Sequence, residues 1–319
     1  MHKMGSVKKF SSETNMHKVE CERKSQRYDG EKNQLHRIRY MTAQKYEEAL
    51  NLMQSGASIQ LRHGQVTCGA ELALLFVETL IKAKIPYTRE ALDRIGTIFS
   101  EFPQLAVPHK LLEEDDLRKL SEILVAAKAR VDGCSSFLKA AIKWSAAYGG
   151  PSKGAAELHD MLAQYISSQS PELDFAKASK YFVNGSHPKA FAVALVDFSE
   201  KSYIGEADLA IARGILMYLV SGDLRDANCL MDELREQSTL KEIVLPSTPL
   251  LQFVEYLLLT LERDALPLFQ LLRQNYKSSI SRDSSFNELL DEIAERFYGV
   301  RRRSGLQSIL GDMFKMMEN

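Results

Sequence analysis

Residues 205–236 read GEADLAIARGILMYLVSGDLRDANCLMDELRE and contain two runs with apolar stripes, joined at Ser-Gly-Asp. In each run the apolar residues recur with the helical period and lie on one face. The two faces consist of Leu209, Ala212, Ile215, Leu216 and Leu219, and of Leu224, Ala227, Leu230, Met231 and Leu234. Gly222 and Asp223 are stop and start signals, and Asp223 is predicted to cap the second helix by accepting a backbone N–H with its carboxylate. The stretch therefore predicts an antiparallel helical hairpin.

The same pattern recurs along almost the whole chain, whereas strand signals are nearly absent. Upstream runs end at Gly, Pro or a lysine-rich turn, which are helix-termination signals. They are TAQKYEEALNLMQSG (42–56), GQVTCGAELALLFVETLIKAK (64–84), TREALDRIGTIFSEFP (88–103), DDLRKLSEILVAAKARVDG (115–133) and SSFLKAAIKWSAAYGG (135–150). Further runs bring the total to about a dozen predicted helices.

Stacking of these hairpins is predicted because one hairpin cannot bury its apolar stripe alone. We therefore predict an all-α fold, an α-solenoid of stacked antiparallel hairpins with degenerate tetratricopeptide-like repeats. A strict period of about 34 residues is absent, and the same stripes permit a closed helical bundle as the competing architecture.

Composition excludes several classes of partner. The 41 basic and 42 acidic side chains leave no global field to attract nucleic acid or an anionic membrane. No apolar run approaches the roughly 20 residues of a spanning helix, so no membrane insertion is expected. The four cysteines, Cys21, Cys68, Cys134 and Cys229, lie far apart in the sequence and suit a reducing compartment. A cytosolic protein is expected.

Enzymatic readings have weak support. GGPSKG (149–154) lacks the spacing and the strand of a phosphate loop, and we expect a turn between helices. His159-Asp160 resembles the metal-binding pair of helical phosphohydrolases, for which His109 and Asp197 could supply further ligands. The simpler interpretation is a capped or solvated surface pair. We therefore expect no catalytic, cofactor or metal residues.

Other local features have structural explanations. The acidic run 113–116 suits a helix start, where the helix dipole favours carboxylates. Trp144 lies in an apolar stripe and is expected in the core. Arg301–Arg303 is interpreted as a solvated helix end. Two irregular segments, 102–114 and 238–249, contain prolines. The second could form an extended arm or hairpin that contacts a partner, and the simpler interpretation is a solvated connector.

Several stretches resemble the Golgi-to-ER traffic protein 4 family. They are RYMTAQKYEEAL (39–50), FLKAAIKWSA (137–146), DLAIAR (208–213), QLLRQNYKSSI (270–280) and NELLDEIAERFYGV (287–300), and GDMFKMM (311–317) is similar to the plant branch. The resemblance implies a helical solenoid without catalysis in the cytosolic guided-entry pathway for tail-anchored membrane proteins. It also implies partners: a dimeric targeting ATPase for the N-terminal half, and a ubiquitin-like adaptor for the C-terminal half. In animals a BAG-domain chaperone meets the second half. A helical-repeat subunit of another assembly is the alternative.

The resemblance also implies the positions of the two surfaces. Arg39, Tyr40, Glu71 and Glu78 match the family contacts to the ATPase, and the two glutamates are spaced to share a helix face. Ile243, Val244 and Leu245 lie in the segment that matches the adaptor surface, and these apolar residues in a polar loop suit a partner groove.

The expected organisation is a polar, disordered tail over 1–35, an ATPase-docking half over 36–150 and an adaptor-binding half over 151–319. Residues 17–40 depart from the family because they lack the apolar periodicity of its first helix.

Overall fold

The structure is a computed structural model of the chain, and it describes residues 32–104, 117–170, 175–202 and 205–300. These residues form fourteen helices and no strand, so the all-α prediction is confirmed for the part of the chain that is described. The chain divides into two compact units, Met1–Asp174 and Phe175–Asn319. The sequence placed the division at 150/151, but the helix that follows residue 150 packs on the helix before it and therefore belongs to the first unit.

The described residues of the first unit form six helices. Each hairpin among them joins two helices that follow one another in sequence. Their bounds are α1 (32–42), α2 (Tyr46–Arg62), α3 (Val66–Lys82), α4 (Arg89–Ser100), α5 (Leu117–Ala147) and α6 (Ala156–Gln169). α3 packs on both α2 and α5, α4 packs on α2, and α6 packs on α5. A helix thus contacts its neighbour and its second neighbour, as stacked helical repeats do.

The described residues of the second unit form eight helices, which pack in a similar way. They are α7 (Phe175–Phe182), α8 (Pro188–Lys201), α9 (Ala207–Ser221), α10 (Leu224–Leu240), α11 (Pro249–Glu262), α12 (Leu266–Asn275), α13 (Lys277–Ile280) and α14 (Ser285–Tyr298). α8 packs on α10, and α9 packs on α10, α11 and α14. The hairpin predicted for residues 205–236 is α9–α10, and stacking of hairpins within each unit is confirmed.

The core of each unit is built on large aromatic side chains. In the first unit Trp144 is fully buried, as predicted, and its indole N–H donates to the Ile85 carbonyl at 3.0 Å. In the second unit the rings of Phe182 and Phe191 stack with centroids 4.7 Å apart, and Tyr218 lies beside Phe191 at 6.1 Å. Burial of such side chains stabilises the fold by roughly 1.5–3 kcal/mol each.

Arg94 connects α4 to α2. Its guanidinium lies over the Phe76 ring and donates to Glu47, Asn51 and Gln54 at 2.7–2.8 Å, three residues on one face of α2. The Arg94 side chain is only 15% exposed, and its bond to Gln54 is partly buried, whereas its acceptor Glu47 is 64% exposed.

Six helix connections in the described residues close with the same turn. The N–H of one residue bonds the carbonyl three positions back, and the next N–H bonds the carbonyl five positions back, which is the Schellman arrangement. The turn residues with positive φ are Gln44, Gly64, Lys84, Gly222, Glu242 and Asp264. Only two of them are glycine, so glycine stop signals identify a minority of these turns.

Two glycines that were predicted to end helices lie inside them instead. Gly56 is within α2, where an added Cβ would lie 2.9 Å from Asn33 Nδ2 on α1. Gly133 is within α5, which is one continuous helix and not the two that were predicted, and its added Cβ would lie 2.8 Å from the Ala70 Cβ on α3. Both glycines permit a close approach of neighbouring helices.

The structure also bears on three further sequence predictions, whereas two others fall outside the described residues. α1 begins at residue 32, inside the segment expected to be a disordered tail, and residues 1–31 lie outside the described ones. The segment 149–154 is a turn between helices, as predicted. The acidic run 113–116 and Arg301–Arg303 lie outside the described residues. Asp223 is the N-cap of α10, but its side chain makes no capping bond because its ψ of 68° differs from the extended backbone of Thr88 and Thr248, which do cap.

Candidate partner-binding surfaces

Arg37 determines where α1 lies. Its side chain is buried, its Nε donates to Thr79 Oγ1 at 2.9 Å, and its Nη2 lies 3.3 Å from Glu78 Oε2. The acceptors lie on adjacent positions of α3, so one guanidinium fixes α1 against that helix. Nothing in the sequence indicates that Arg37 is buried, because an arginine in a polar segment resembles any solvated charge.

The four predicted ATPase-contact residues lie on α1 and α3 of the same unit. Arg39 and Glu71 are exposed, Tyr40 is half-buried, and the Glu78 side chain is 44% exposed. Glu78 therefore pairs with Arg37 and still presents part of its carboxylate to solvent. We call these four residues the α1–α3 surface, and its role as a partner site remains a prediction.

Apolar side chains accompany these charges on α1. Leu35 and Ile38 are 52% and 57% exposed, and Ile59 on α2 is 53% exposed. A cleft of about 390 Å³ between α1 and α2 is lined by residues that include Asn33, His36 and Ile59. This end of the first unit can therefore offer a partner both charged contacts and apolar area.

The second predicted surface lies in residues 241–248, which we call the α10–α11 loop. Residues 238–240 belong to α10 and the loop contains no strand, so the hairpin is wrong and the segment is an irregular connector between two helices. Val244 is 91% exposed, the highest value among the exposed large apolar side chains of the described residues, whereas Ile243 and Leu245 are half-buried. A single exposed apolar side chain is common on protein surfaces, so the interest of Val244 comes from the cavity beside the same loop.

Leu245 forms part of a cavity beneath the loop. The cavity has a volume of about 290 Å³ and is lined by apolar residues of α9, α10 and α11, including Ile211, Met231 and Leu251, and by Arg235 and Glu255 at its edge. Arg235 Nη2 bonds Glu255 Oε1 at 2.8 Å and so links α10 to α11. The lining also includes Ser247, Thr248 and Gln252, so the arrangement is a small pocket of mixed apolar and polar character near an exposed valine.

Ion pairs connect α8 and α9 to other segments of the second unit. Asp208 at the start of α9 is fully buried and accepts two bonds from Arg282, at 2.5 and 3.0 Å. Asp283 pairs with Arg213 and accepts from the Ser285 N–H at 2.9 Å. Burial alone would favour the neutral carboxyl, but the bonds from Ser285 and Arg213 lower the pKa of Asp283. Lys241 at the start of the loop also pairs with Asp197.

The His159-Asp160 pair is buried, with both residues 5% exposed, so the predicted surface pair is wrong. His159 Nε2 lies 2.9 Å from the Lys153 carbonyl, which explains a histidine in the core. In the residues described, no group of three or more His, Cys, Asp or Glu side chains is arranged to hold a metal ion. Asp197 pairs with Lys241, and His109 lies outside the described residues.

None of the helices that the structure describes combines the length and apolar content needed to span a bilayer. The cysteines Cys68, Cys134 and Cys229 are free thiols, and burial raises the pKa of the Cys134 thiol. Cys134 therefore stays protonated and acts as a small core residue.

Comparisons with known proteins identify the family. Residues 43–317 match the family model described as Golgi to ER traffic protein 4. The chain is 54% identical to Protein GET4 of Arabidopsis thaliana over 282 residues, which cover 88% of this chain and 87% of that protein. It is 28% identical to the Homo sapiens Golgi to ER traffic protein 4 homolog, covering 86% and 77% of the two chains. The crystal structure of C. therm. Get4 superposes with a TM-score of 0.67 at 23% identity, covering 89% of this chain and 88% of that one. The chain belongs to the Golgi to ER traffic protein 4 family.

Proposed function

We propose that the chain is a non-enzymatic cytosolic scaffold that links a ubiquitin-like adaptor to the targeting ATPase of the guided-entry pathway. Through this link a co-chaperone passes a tail-anchored client to the ATPase for delivery to the ER membrane. Membership of a Golgi-to-ER traffic family supports the pathway. The separation of the chain into two units supports a protein with two docking sites.

The observation on which the proposal most depends is the exposure of Val244. A valine that is 91% exposed near a pocket of about 290 Å³ with both apolar and polar lining suits an adaptor segment that combines apolar side chains with hydrogen-bonding groups. In this proposal the adaptor buries Val244 and Ile243 and extends the apolar contact to the pocket behind Leu245. A BAG-domain chaperone, where one is present, binds the same half.

The α1–α3 surface is proposed to bind the ATPase through charge. Glu71 is exposed and Glu78 keeps part of its carboxylate accessible, so both can meet basic side chains of the ATPase. Arg39 and Tyr40 add one cation and one aromatic ring, which are residue types that dominate many interfaces. Ion pairs at such an exposed surface accelerate association and lose strength in salt.

A reconstitution with three purified components tests the proposal. Immobilised adaptor should capture the ATPase only when this chain is present. Val244→Asp should abolish that capture while leaving direct binding of the ATPase to this chain unchanged. If the wild-type chain binds neither component, the scaffold role is wrong, and a helical-repeat subunit of another assembly becomes the better assignment.

A further inference from the structure

Both helices of the α11–α12 hairpin expose large apolar side chains, among polar ones such as Gln252 and Gln270. Tyr256 and Leu259 on α11 are 50% and 45% exposed, and Leu268 and Leu271 on α12 are 46% and 50% exposed. Leu259 and Leu268 lie at nearly equal distances along the chain from the turn at Asp264, and so do Tyr256 and Leu271. The four side chains therefore lie at matching levels of two adjacent antiparallel helices. We call them the hairpin face.

The chain leaves α14 beside this hairpin. The Tyr298 ring lies 5.5 Å from the Phe269 ring of α12, and the pKa of Tyr298 is raised first by burial and then by the nearby Asp264 carboxylate. Gly299, with positive φ, ends α14, and Val300 is 40% exposed. Residues that follow Val300 thus start next to α12 and the α11–α12 turn.

The sequence after Val300 has an apolar pattern that matches the hairpin face. It reads RRRSGLQSILGDMFKMMEN over residues 301–319. Its apolar residues recur at the spacing of one face of a helix: Leu306, Ile309, Leu310, Met313, Phe314 and Met317. The family match extends to residue 317, so this pattern lies within the region shared by the family.

We propose that residues 306–317 of the same chain cover the hairpin face. Five residues, 301–305, can span up to about 17 Å, which is enough to turn back from Val300 over α12. Twelve residues in helical form extend about 18 Å, whereas the ten residues of α12 extend about 15 Å, so the lengths match. Arg301–Arg303 would pass close to the exposed carboxylates of Glu262 and Asp264 at the α11–α12 turn, which adds charge complementarity.

Attachment to the same chain favours this occupant over a separate partner. A short linker holds the segment at an effective concentration in the millimolar range, so a weak apolar contact suffices to cover the face. The covered state should therefore be independent of protein concentration. This inference does not rest on the proposed function, because it concerns only contacts within the second unit.

Hydrogen exchange on the full chain tests the proposal. Backbone amides of residues 306–317 should exchange at least about tenfold more slowly in the wild type than in Leu259→Asp/Leu271→Asp. Leu310→Asp/Phe314→Asp should show the same rapid exchange. The matched control is Ile123→Asp/Val125→Asp, which places two aspartates at exposed apolar positions of α5 and should leave residues 306–317 protected. If the aspartates in the hairpin disturb folding, Leu259→Ser/Leu271→Ser should give the same loss of protection.

Three results would overturn the proposal. Rapid exchange of residues 306–317 in the wild type would show that the segment is not bound. Slow exchange that the hairpin variants do not change would place it elsewhere. Protection that increases with protein concentration, or that appears only when purified adaptor is added, would assign the hairpin face to a second copy or to the adaptor.

Discussion

The α1–α3 surface and the α10–α11 loop differ in chemistry and in how the fold supports them. The first consists of charged and aromatic residues on helices, and Arg37 fixes it through Glu78 and Thr79. The second consists of apolar residues in an irregular loop beside a small pocket with both apolar and polar lining. One stacked-helix architecture thus provides a rigid electrostatic site and an apolar site. Their responses to salt and substitution should separate them.

The largest expected effect is at the α10–α11 loop. Val244→Asp should weaken adaptor binding by about 100-fold, or roughly 2.7 kcal/mol, because it replaces buried apolar contact by an unpaired charge in the interface. Calorimetry of the purified pair measures the affinity. Thr239→Asp is the matched control, since it adds the same charge at an exposed position at the end of α10. Equal losses in both variants would indicate a general charge effect and contradict the assignment.

The α1–α3 surface should respond to charge reversal in a way that depends on salt. Glu71→Lys should weaken ATPase binding by about tenfold at low ionic strength, and the difference should shrink towards about 0.5 M salt because screening removes the repulsion. Adaptor affinity should change little over the same range. Glu90→Lys, at an exposed position of α4, provides the control. A loss at Glu71 that persists in high salt would contradict an electrostatic site.

Arg37 should control the order of α1. Arg37→Ala removes the bonds to Glu78 and Thr79, and we expect a local loss of roughly 1–2 kcal/mol. Amides of residues 32–42 should then exchange about tenfold faster, and ATPase affinity should fall because Arg39 and Tyr40 lie on the loosened helix. Arg39→Ala should leave the exchange of α1 unchanged. Unaltered α1 exchange in Arg37→Ala would show that other contacts hold the helix.

The smallest expected effect is the acid dependence of the second unit. The folded pKa of Asp283 is lowered, so its ionised form stabilises the fold above the ordinary pKa of about 3.9, and this stabilisation is lost as pH falls through the lower folded pKa. Asp283→Asn should therefore be less stable by roughly 1 kcal/mol at neutral pH. Urea unfolding should show this difference disappearing in strong acid. A difference that is constant with pH would exclude ionisation as its cause.

Much of the fold could be predicted from the period of the apolar residues. Of the five residues assigned to the apolar face of α9, Ala212, Ile215, Leu216 and Leu219 are fully buried and Leu209 is half-buried. The helix ends were harder to predict, because glycine has the same appearance in sequence whether it ends a helix or permits close packing. The neighbour that decides between these roles, such as Ala70 beside Gly133, is distant in sequence.

The candidate surfaces were only partly predictable. The apolar residues of a polar loop indicated position 244, and the structure leaves that valine in solvent. Sequence could not indicate Arg37, because burial of a charge depends on partners 41 and 42 positions away. It also could not show that His159 and Asp160 lie inside the first unit, since the apolar surroundings of a helix face form only on folding.

The shared helix turns have a consequence for engineering. Gln44, Lys84, Glu242 and Asp264 adopt a left-handed backbone that costs a residue with a Cβ about 1 kcal/mol or more. Glycine at these sites would remove that cost but would add flexibility to the unfolded chain, so each exchange should give a net gain of a few tenths of a kcal/mol to about 1 kcal/mol. Glu242 lies beside the docking residue Ile243 and Asp264 lies at the α11–α12 turn, so Lys84 between α3 and α4 is the site where this exchange should stabilise the protein without altering either proposed surface.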